Sequence, residues 1–274
     1  MGMVNFMFKY VSDICDYLQF KNDVDNMFKI IFSTRRGGVS EFPYNSLNLG
    51  LHVGDRKIDV IKNRDLLFET AGINRKSVVV AEQIHGSRIA VVDKNNSGCG
   101  YFSHSSALSG FDGMITKEKN TPLFAFFADC VPIILFDDKN HIAGIAHAGW
   151  KGTIGKIAAE IVGQAVKEFS SKLEDINIII GPSISIKNYE IDKKMADLFL
   201  QEFDNSDNFI IKSDNSYYLD LKKVNRKILL DSGIKNENIF VENKYCTFED
   251  EDLFYSYRRD GKSTGRMAAV IEII

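Results

Sequence analysis

Along the chain, short apolar runs alternate with amphipathic stretches and turn-forming residues. Runs of β type fall at 28–34, 77–83, 88–93, 111–116, 122–128, 131–137, 141–147, 175–181, 208–212, 238–242, 252–257 and 267–273. Several, such as PLFAFFA at 122–128 and VPIILFD at 131–137, are apolar throughout, the pattern of strands covered on both faces. Helical spacing is clearest after Thr153, a possible N-cap, with Ile154, Ile157, Ala158, Ile161, Val162, Ala165, Val166 and Phe169 on one face. Further helices are predicted at 57–71, closed by Gly72, at 190–203, and at 220–232 between Asp220 and Gly233. Strands outnumber helices and the two are interleaved. The expected fold is α+β, a single domain with mixed β-sheets flanked by helices.

Composition narrows the function classes. With 45% hydrophobic and 26% charged residues the chain can bury a sizeable core, and a net charge of −3 offers no attraction to nucleic acid or to an anionic membrane. No apolar run approaches the roughly 18 residues of a membrane helix, and the N-terminal stretch lacks the basic start and apolar block of a secretion signal. Cys15, Cys99, Cys130 and Cys246 are scattered without a C-x-x-C pair, which fits a reduced, cytoplasmic chain better than a disulfide scaffold.

Three residues stand where apolar runs end or break. His85 lies in AEQIHGSRIAVVD, Cys130 joins the two runs of FAFFADCVPIILFD, and His147 precedes the glycine-rich turn of AHAGWKGT with its only tryptophan. Two imidazoles and a thiolate are donors that zinc accepts, leaving a fourth position for water or substrate. Cys130 lies 45 residues beyond His85, and His147 a further 17 along, so only the fold could assemble such a site. The plainer alternatives are a buried free cysteine, a surface loop histidine at 85 and a hydrogen-bonded core histidine at 147. Cys130 could also be a nucleophile with a histidine as base. Asp129 would project to the opposite side of a continuing strand and is not an obvious orienting acid.

Basic, glycine-rich stretches add candidate anion contacts. Arg35 and Arg36 precede Gly37 and Gly38, Arg64 lies on the 57–71 helix opposite some of its apolar positions, and Arg258, Arg259 and Arg266 surround a C-terminal turn. Arginines beside such turns suit a phosphate, although solvated arginines at strand ends are the commoner case.

The blocks STRRGGVS, PYNSLNLGLHVGD, QIHG, ADCVPIILFD, AHAGWKGT, GPSISIKNYE and CTFEDEDLFYSYRRDG, followed by TGRMAAVI, occur in this order. Together they resemble the YfiH-type family, whose members are also called multicopper polyphenol oxidases, laccase-domain proteins or purine nucleoside phosphorylase-like proteins. The resemblance runs from Phe32 to Ile274 and implies one YfiH-like catalytic domain over 1–274, layered α-β-β-α, with 1–27 as a less defined N-terminal extension. It further implies a zinc site on His85, Cys130 and His147, and phosphorolysis of adenosine, inosine, guanosine and methylthioadenosine together with adenosine deamination. The partners would then be purine nucleosides and phosphate, with Arg64, and less strongly Arg35, as anion contacts. Lys151 stands where the family often has arginine, Ser183 where it often has cysteine, and no further cysteine follows Cys246.

The copper-oxidase label can be weighed by counting. A multicopper laccase needs a two-histidine, one-cysteine copper site and a separate histidine-rich cluster, which five histidines cannot supply. Zinc is therefore preferred to copper. The H-x-E and P-C-x-x-C signature of zinc deaminases is also absent. Two other readings stay open: a cysteine amidohydrolase editing peptidoglycan precursors, and a non-catalytic binding domain that keeps zinc for structure.

Overall fold

Strands that are apolar on both faces need cover on both sides, and this chain provides it by stacking two sheets between helices. The computed structural model describes residues 7–21, 27–204, 209–214 and 216–274. The chain begins with β1 (Met7–Val11), β2 (Tyr17–Lys21), β3 (Phe28–Ser33), helix α1 (Lys57–Ala71), β4 (Val79–Val80), β5 (Ile89–Val91) and β6 (Gly113–Thr116). It continues through β7 (Leu123–Phe127), β8 (Val131–Asp137), β9 (Ile142–Ala148), α2 (Trp150–Ile154), α3 (Ile157–Phe169) and β10 (Ile176–Ile180). It ends with β11 (Glu190–Ile191), α4 (Lys193–Glu202), β12 (Ile210–Ser213), β13 (Ser216–Leu219), α5 (Leu221–Asp231), β14 (Ile239–Val241), α6 (Tyr257–Asp260) and β15 (Met267–Ile273).

One six-stranded sheet has the order β1-β2-β3-β15-β7-β4, a second the order β14-β10-β8-β9-β6-β5, and β11-β13-β12 form a small third. Both large sheets are mixed: β4 joins β7 in parallel while β15 joins β7 antiparallel. Leu18, Phe32, Phe127 and Ile271 of the first sheet meet Ile134, Phe136, Ile145 and Ile179 of the second in one buried cluster. The outer face of the first sheet packs Ile31, Phe124 and Val270 under Leu67 and Phe68 of α1. The outer face of the second packs Ile133, Leu135 and Ala146 under α3, α4 and α5 through Ile161, Phe199 and Ile228. The result is an α-β-β-α stack.

Local chemistry explains most element ends. Gly72 closes α1 in the left-handed conformation at φ 62°, which L side chains adopt less readily than glycine. The Asp220 side chain accepts from Lys223 N and starts α5. Two expectations are corrected. Thr153 does not cap the long helix: a first turn starts at Trp150, the chain breaks at Gly155 and Lys156, and the buried Thr153 hydroxyl instead accepts from Asn225 Nδ2 at 3.0 Å. Residues 252–257 form no strand. Leu253 and Phe254 turn back onto the Asp250 carbonyl, and Ser256 caps α6, so Phe254 and Tyr255 are buried without a ladder. Within the less defined N-terminal stretch, residues 7–21 form a hairpin at the edge of the first sheet, β2 being bonded to β3.

Candidate functional site

His85, Cys130 and His147 come from three different places and converge where the two large sheets open. His147 is the penultimate residue of β9, paired opposite Pro132 of β8. Cys130 fills the junction between β7, in the first sheet, and β8, in the second. The crossing is made at Asp129, in the left-handed region at φ 85°. His85 sits on the loop after β4, where Gln83 and His85 are also left-handed, at φ 60° and 62°. Such strain at three non-glycine residues persists only where the surroundings hold it. Here the Gln83 amide brackets the Phe126 backbone, Nε2 donating to its carbonyl and Oε1 accepting from its N–H, both at 2.8 Å.

A residue the sequence reading did not single out holds the rest. Asp112, buried just before β6, accepts hydrogen bonds from the backbone N–H groups of Ile84, His85 and Gly86 at 3.1, 2.8 and 2.6 Å. Its Oδ1 also lies 3.0 Å from His147 Nδ1. One carboxylate thus fixes the loop that carries His85 and turns the other ring nitrogen of His147 inward. The signal in the sequence was slight: an acid inside the otherwise small and apolar SGFDGMI.

The donor atoms of His85, Cys130 and His147 all lie within 4.8 Å of one another. A point no more than about 2.8 Å from all three therefore exists, against roughly 2.0–2.3 Å for zinc ligation, so small side-chain rotations close the site. A carboxylate–histidine pair behind a ligand is the usual support of a zinc imidazole. Gly149 completes the cradle: a Cβ there would stand 3.0 Å from Cys130 Sγ and 3.2 Å from His85 Cδ2. The donor set fits a single borderline metal ion with one open position.

Electrostatics prepare the donors. Burial by itself would raise the Cys130 thiol, but the charge of His147 and hydrogen bonds from His147 and His85 outweigh it and bring it down to about 6. Burial would lower His147, yet the facing thiolate and the Asp112 bond raise it to about 9. Burial also opposes ionisation of Asp112, but the His147 bond and the loop N–H groups leave it below its ordinary value.

His85, Cys130 and His147 form part of the wall of a cavity of about 540 Å³, within the range of small-molecule sites. Trp150, Tyr189 and Tyr257 supply aromatic faces, and Lys151, Arg258 and Arg266 supply positive charge. His52, within the PYNSLNLGLHVGD block, also lines it. Burial and the neighbouring Arg266 push its imidazole far below the usual range, so it is neutral.

The other two sequence candidates are placed elsewhere. Arg64 faces the core, 1% exposed, with Nε donating to Leu49 O at 2.9 Å and Nη1 donating to Gly100 O and Tyr101 O. It is a buried staple between helix and loop, since those carbonyls would otherwise lack partners. Arg35 lies over the Tyr255 ring at 4.6 Å, donates to Asn45 O and Glu251 O, and borders a separate shallow depression. Neither lines the cavity that holds the cluster.

Comparison with known proteins agrees in family and fold. Residues 29–274 match the family described as multi-copper polyphenol oxidoreductase laccase. A relative from Bacillus subtilis named purine nucleoside phosphorylase YlmD is 42% identical over 243 residues, 88% of this chain and 86% of its own length. One of the same name from Geobacillus stearothermophilus is 39% identical, covering 87% of this chain and 88% of its own length. The crystal structure of YlmD from Geobacillus stearothermophilus superposes with a TM-score of 0.93 at 36% identity, over 98% of this chain and 99% of that one. The Bacillus licheniformis protein YfiH gives 0.92 at 36% identity, over 97% and 99%.

Proposed function

As the chain belongs to the multi-copper polyphenol oxidoreductase laccase family, and its relatives bear the name purine nucleoside phosphorylase, we propose that it is a zinc-dependent purine nucleoside phosphorylase. It takes adenosine, inosine, guanosine or methylthioadenosine and deaminates adenosine as a second activity. The observation that carries this reading is the convergence of His85, Cys130 and His147 on the wall of an aromatic-lined, positively charged cavity.

In phosphorolysis a phosphate oxygen bonds to C1′ while the bond from C1′ to N9 breaks. The electron pair leaves with the purine, which takes up a proton, and the products are free base and ribose 1-phosphate. The chain must hold two reactants in line and balance the charge that develops. Trp150, Tyr189 and Tyr257 offer flat faces to the base, and the cavity cations offer a seat for phosphate. Asp112 keeps His147 in the tautomer that presents Nε2, and Gly149 leaves room for ligation. Bound zinc supplies an electrophile with a position open to substrate. In deamination water adds at C6 of the adenine and ammonia leaves, giving inosine.

Zinc is preferred to copper because two of the five histidines are in the cluster, and no second gathering of three His, Cys, Asp or Glu ligands occurs among the described residues. The test is to incubate zinc-loaded protein with each nucleoside and phosphate and to follow free base, ribose 1-phosphate and inosine. Absence of all products, or full activity in Cys130→Ala, refutes the reading.

One observation favours a second reading. Cys130, His147 and Asp112 are also arranged as nucleophile, base and orienting acid, which suits a cysteine amidohydrolase. That reading requires activity in metal-free protein that is lost on thiol alkylation.

A further inference from the structure

Resting on the phosphorylase reading, we infer that Arg258 and Arg266, not Arg64, form the subsite for inorganic phosphate. Both line the same cavity as the His–Cys–His cluster. Neither pairs with a carboxylate among the described residues, whereas Arg56, Arg75 and Arg259 each lie on an aspartate. Their protein partners are neutral carbonyls. Arg266 Nη1 donates to Thr264 O and Gly265 O, both at 2.9 Å, and Arg258 Nη1 donates to Glu190 O at 2.7 Å. In both side chains Nε and Nη2 donate to no protein atom among the described residues, so each guanidinium keeps its charge and one free edge. A free edge of two parallel N–H groups is the geometry that binds phosphate oxygens.

The segment is built to hold these edges still. The Arg258 guanidinium lies over the Tyr189 ring at 5.0 Å, and its backbone N–H donates to Asp129 Oδ2 at 2.7 Å. Asp129 is the one aspartate or glutamate in the cavity wall. It is already committed to the Thr247 and Ser256 hydroxyls at 2.7 and 3.0 Å, so it clamps the C-terminal turn rather than neutralising the arginines. Because Asp129 immediately precedes Cys130, the clamp ties the position of Arg258 to that of the proposed metal ligand. Lys151, on the turn after His147, adds a third cation. A dianion seated here lies beside the cluster, where phosphorolysis needs its attacking oxygen.

The experiment uses the zinc-loaded full chain. Trp150 is the only tryptophan and lines the cavity, so its fluorescence and the ³¹P line width both report titration with inorganic phosphate. Wild type is expected to saturate. Arg258→Gln and Arg266→Gln are each expected to weaken phosphate binding and raise its KM by about ten- to a hundredfold, with nucleoside KM changing by no more than about threefold. The Arg258 side chain is exposed, so its variant keeps the test valid should Arg266→Gln fold poorly. Arg266→Lys is expected to recover part of the affinity. No saturable response in wild type, or unchanged phosphate affinity in both Gln variants, overturns the inference. Phosphate binding that depends on these arginines without release of any free base overturns the phosphorylase reading and leaves the subsite standing.

Discussion

Replacing Asp112 by Asn tests whether one buried carboxylate organises the proposed metal site. Asp112 is 1% exposed, and its two oxygens meet four donors: Oδ2 accepts from Ile84 N and Gly86 N, Oδ1 from His85 N and His147 Nδ1. An amide of the same size cannot serve both sides. If its NH2 replaces Oδ2, two backbone N–H groups face a donor, and leaving buried donors unmet costs about 1–3 kcal/mol each. If it replaces Oδ1, the His85 N–H is unmet and His147 must accept at Nδ1, moving its proton to Nε2, where a metal would bind. Either arrangement disturbs ligation, and losing such a partner typically costs about 10–100-fold in metal affinity. Competition for zinc against a chromophoric chelator measures this, with thermal unfolding of the metal-free variant separating lost stability from lost ligation. Wild-type zinc affinity and melting temperature in Asp112→Asn would refute the argument, because it would show that the loop and His147 are held by something else.

Four further outcomes are expected. Metal-free protein treated with iodoacetamide should lose Cys130 thiol with a rate that rises through a midpoint near pH 6 and is flat above about pH 7, since the facing His147 brings the thiol down to about 6; a midpoint near the ordinary thiol value contradicts the pairing. The sign for stability follows. The lowered Cys130 contributes above the unfolded thiol value and its contribution is lost as pH falls through about 6, while the raised His147 contributes below its unfolded value and its contribution is lost as pH rises through about 9. Metal binding near pH 7.5 should therefore release close to one proton from His147, which calorimetry in buffers of different ionisation enthalpy detects. Gly149→Ala has an unstrained backbone but places a methyl 3.0 Å from Cys130 Sγ; it should fold normally and bind zinc about tenfold or more weakly, and unaltered binding would show that the cradle is not tight. Arg64→Met should destabilise by about 3 kcal/mol or more, because three backbone carbonyls lose a buried partner, lowering the melting point by about 6–12 °C without raising the phosphate KM of the folded protein.

The sequence by itself pointed to the layers and to the three side chains that the fold brings together. Runs such as 122–128 and 131–137, short and apolar throughout, read as buried strands, and His85, Cys130 and His147 stand where such runs end or break, a recurrence that chance core packing does not call for. Strand 252–257 misled because Phe254 and Tyr255 are buried by a folded-back turn, and burial alone does not distinguish a ladder from a loop. Tertiary structure decided which charged groups serve the cavity. An arginine on a helix reads the same whether it faces solvent, ligand or carbonyl groups; Arg64 turned inward because Leu49, Gly100 and Tyr101 offered acceptors from distant loops. Asp112 became the keystone only when β6 brought it beside the 84–86 loop and β9. Hydrophobic period is a local property and survives in one dimension. The meeting of a carboxylate with its donors depends on chain separated by tens of residues, and only the packed sheets specify it.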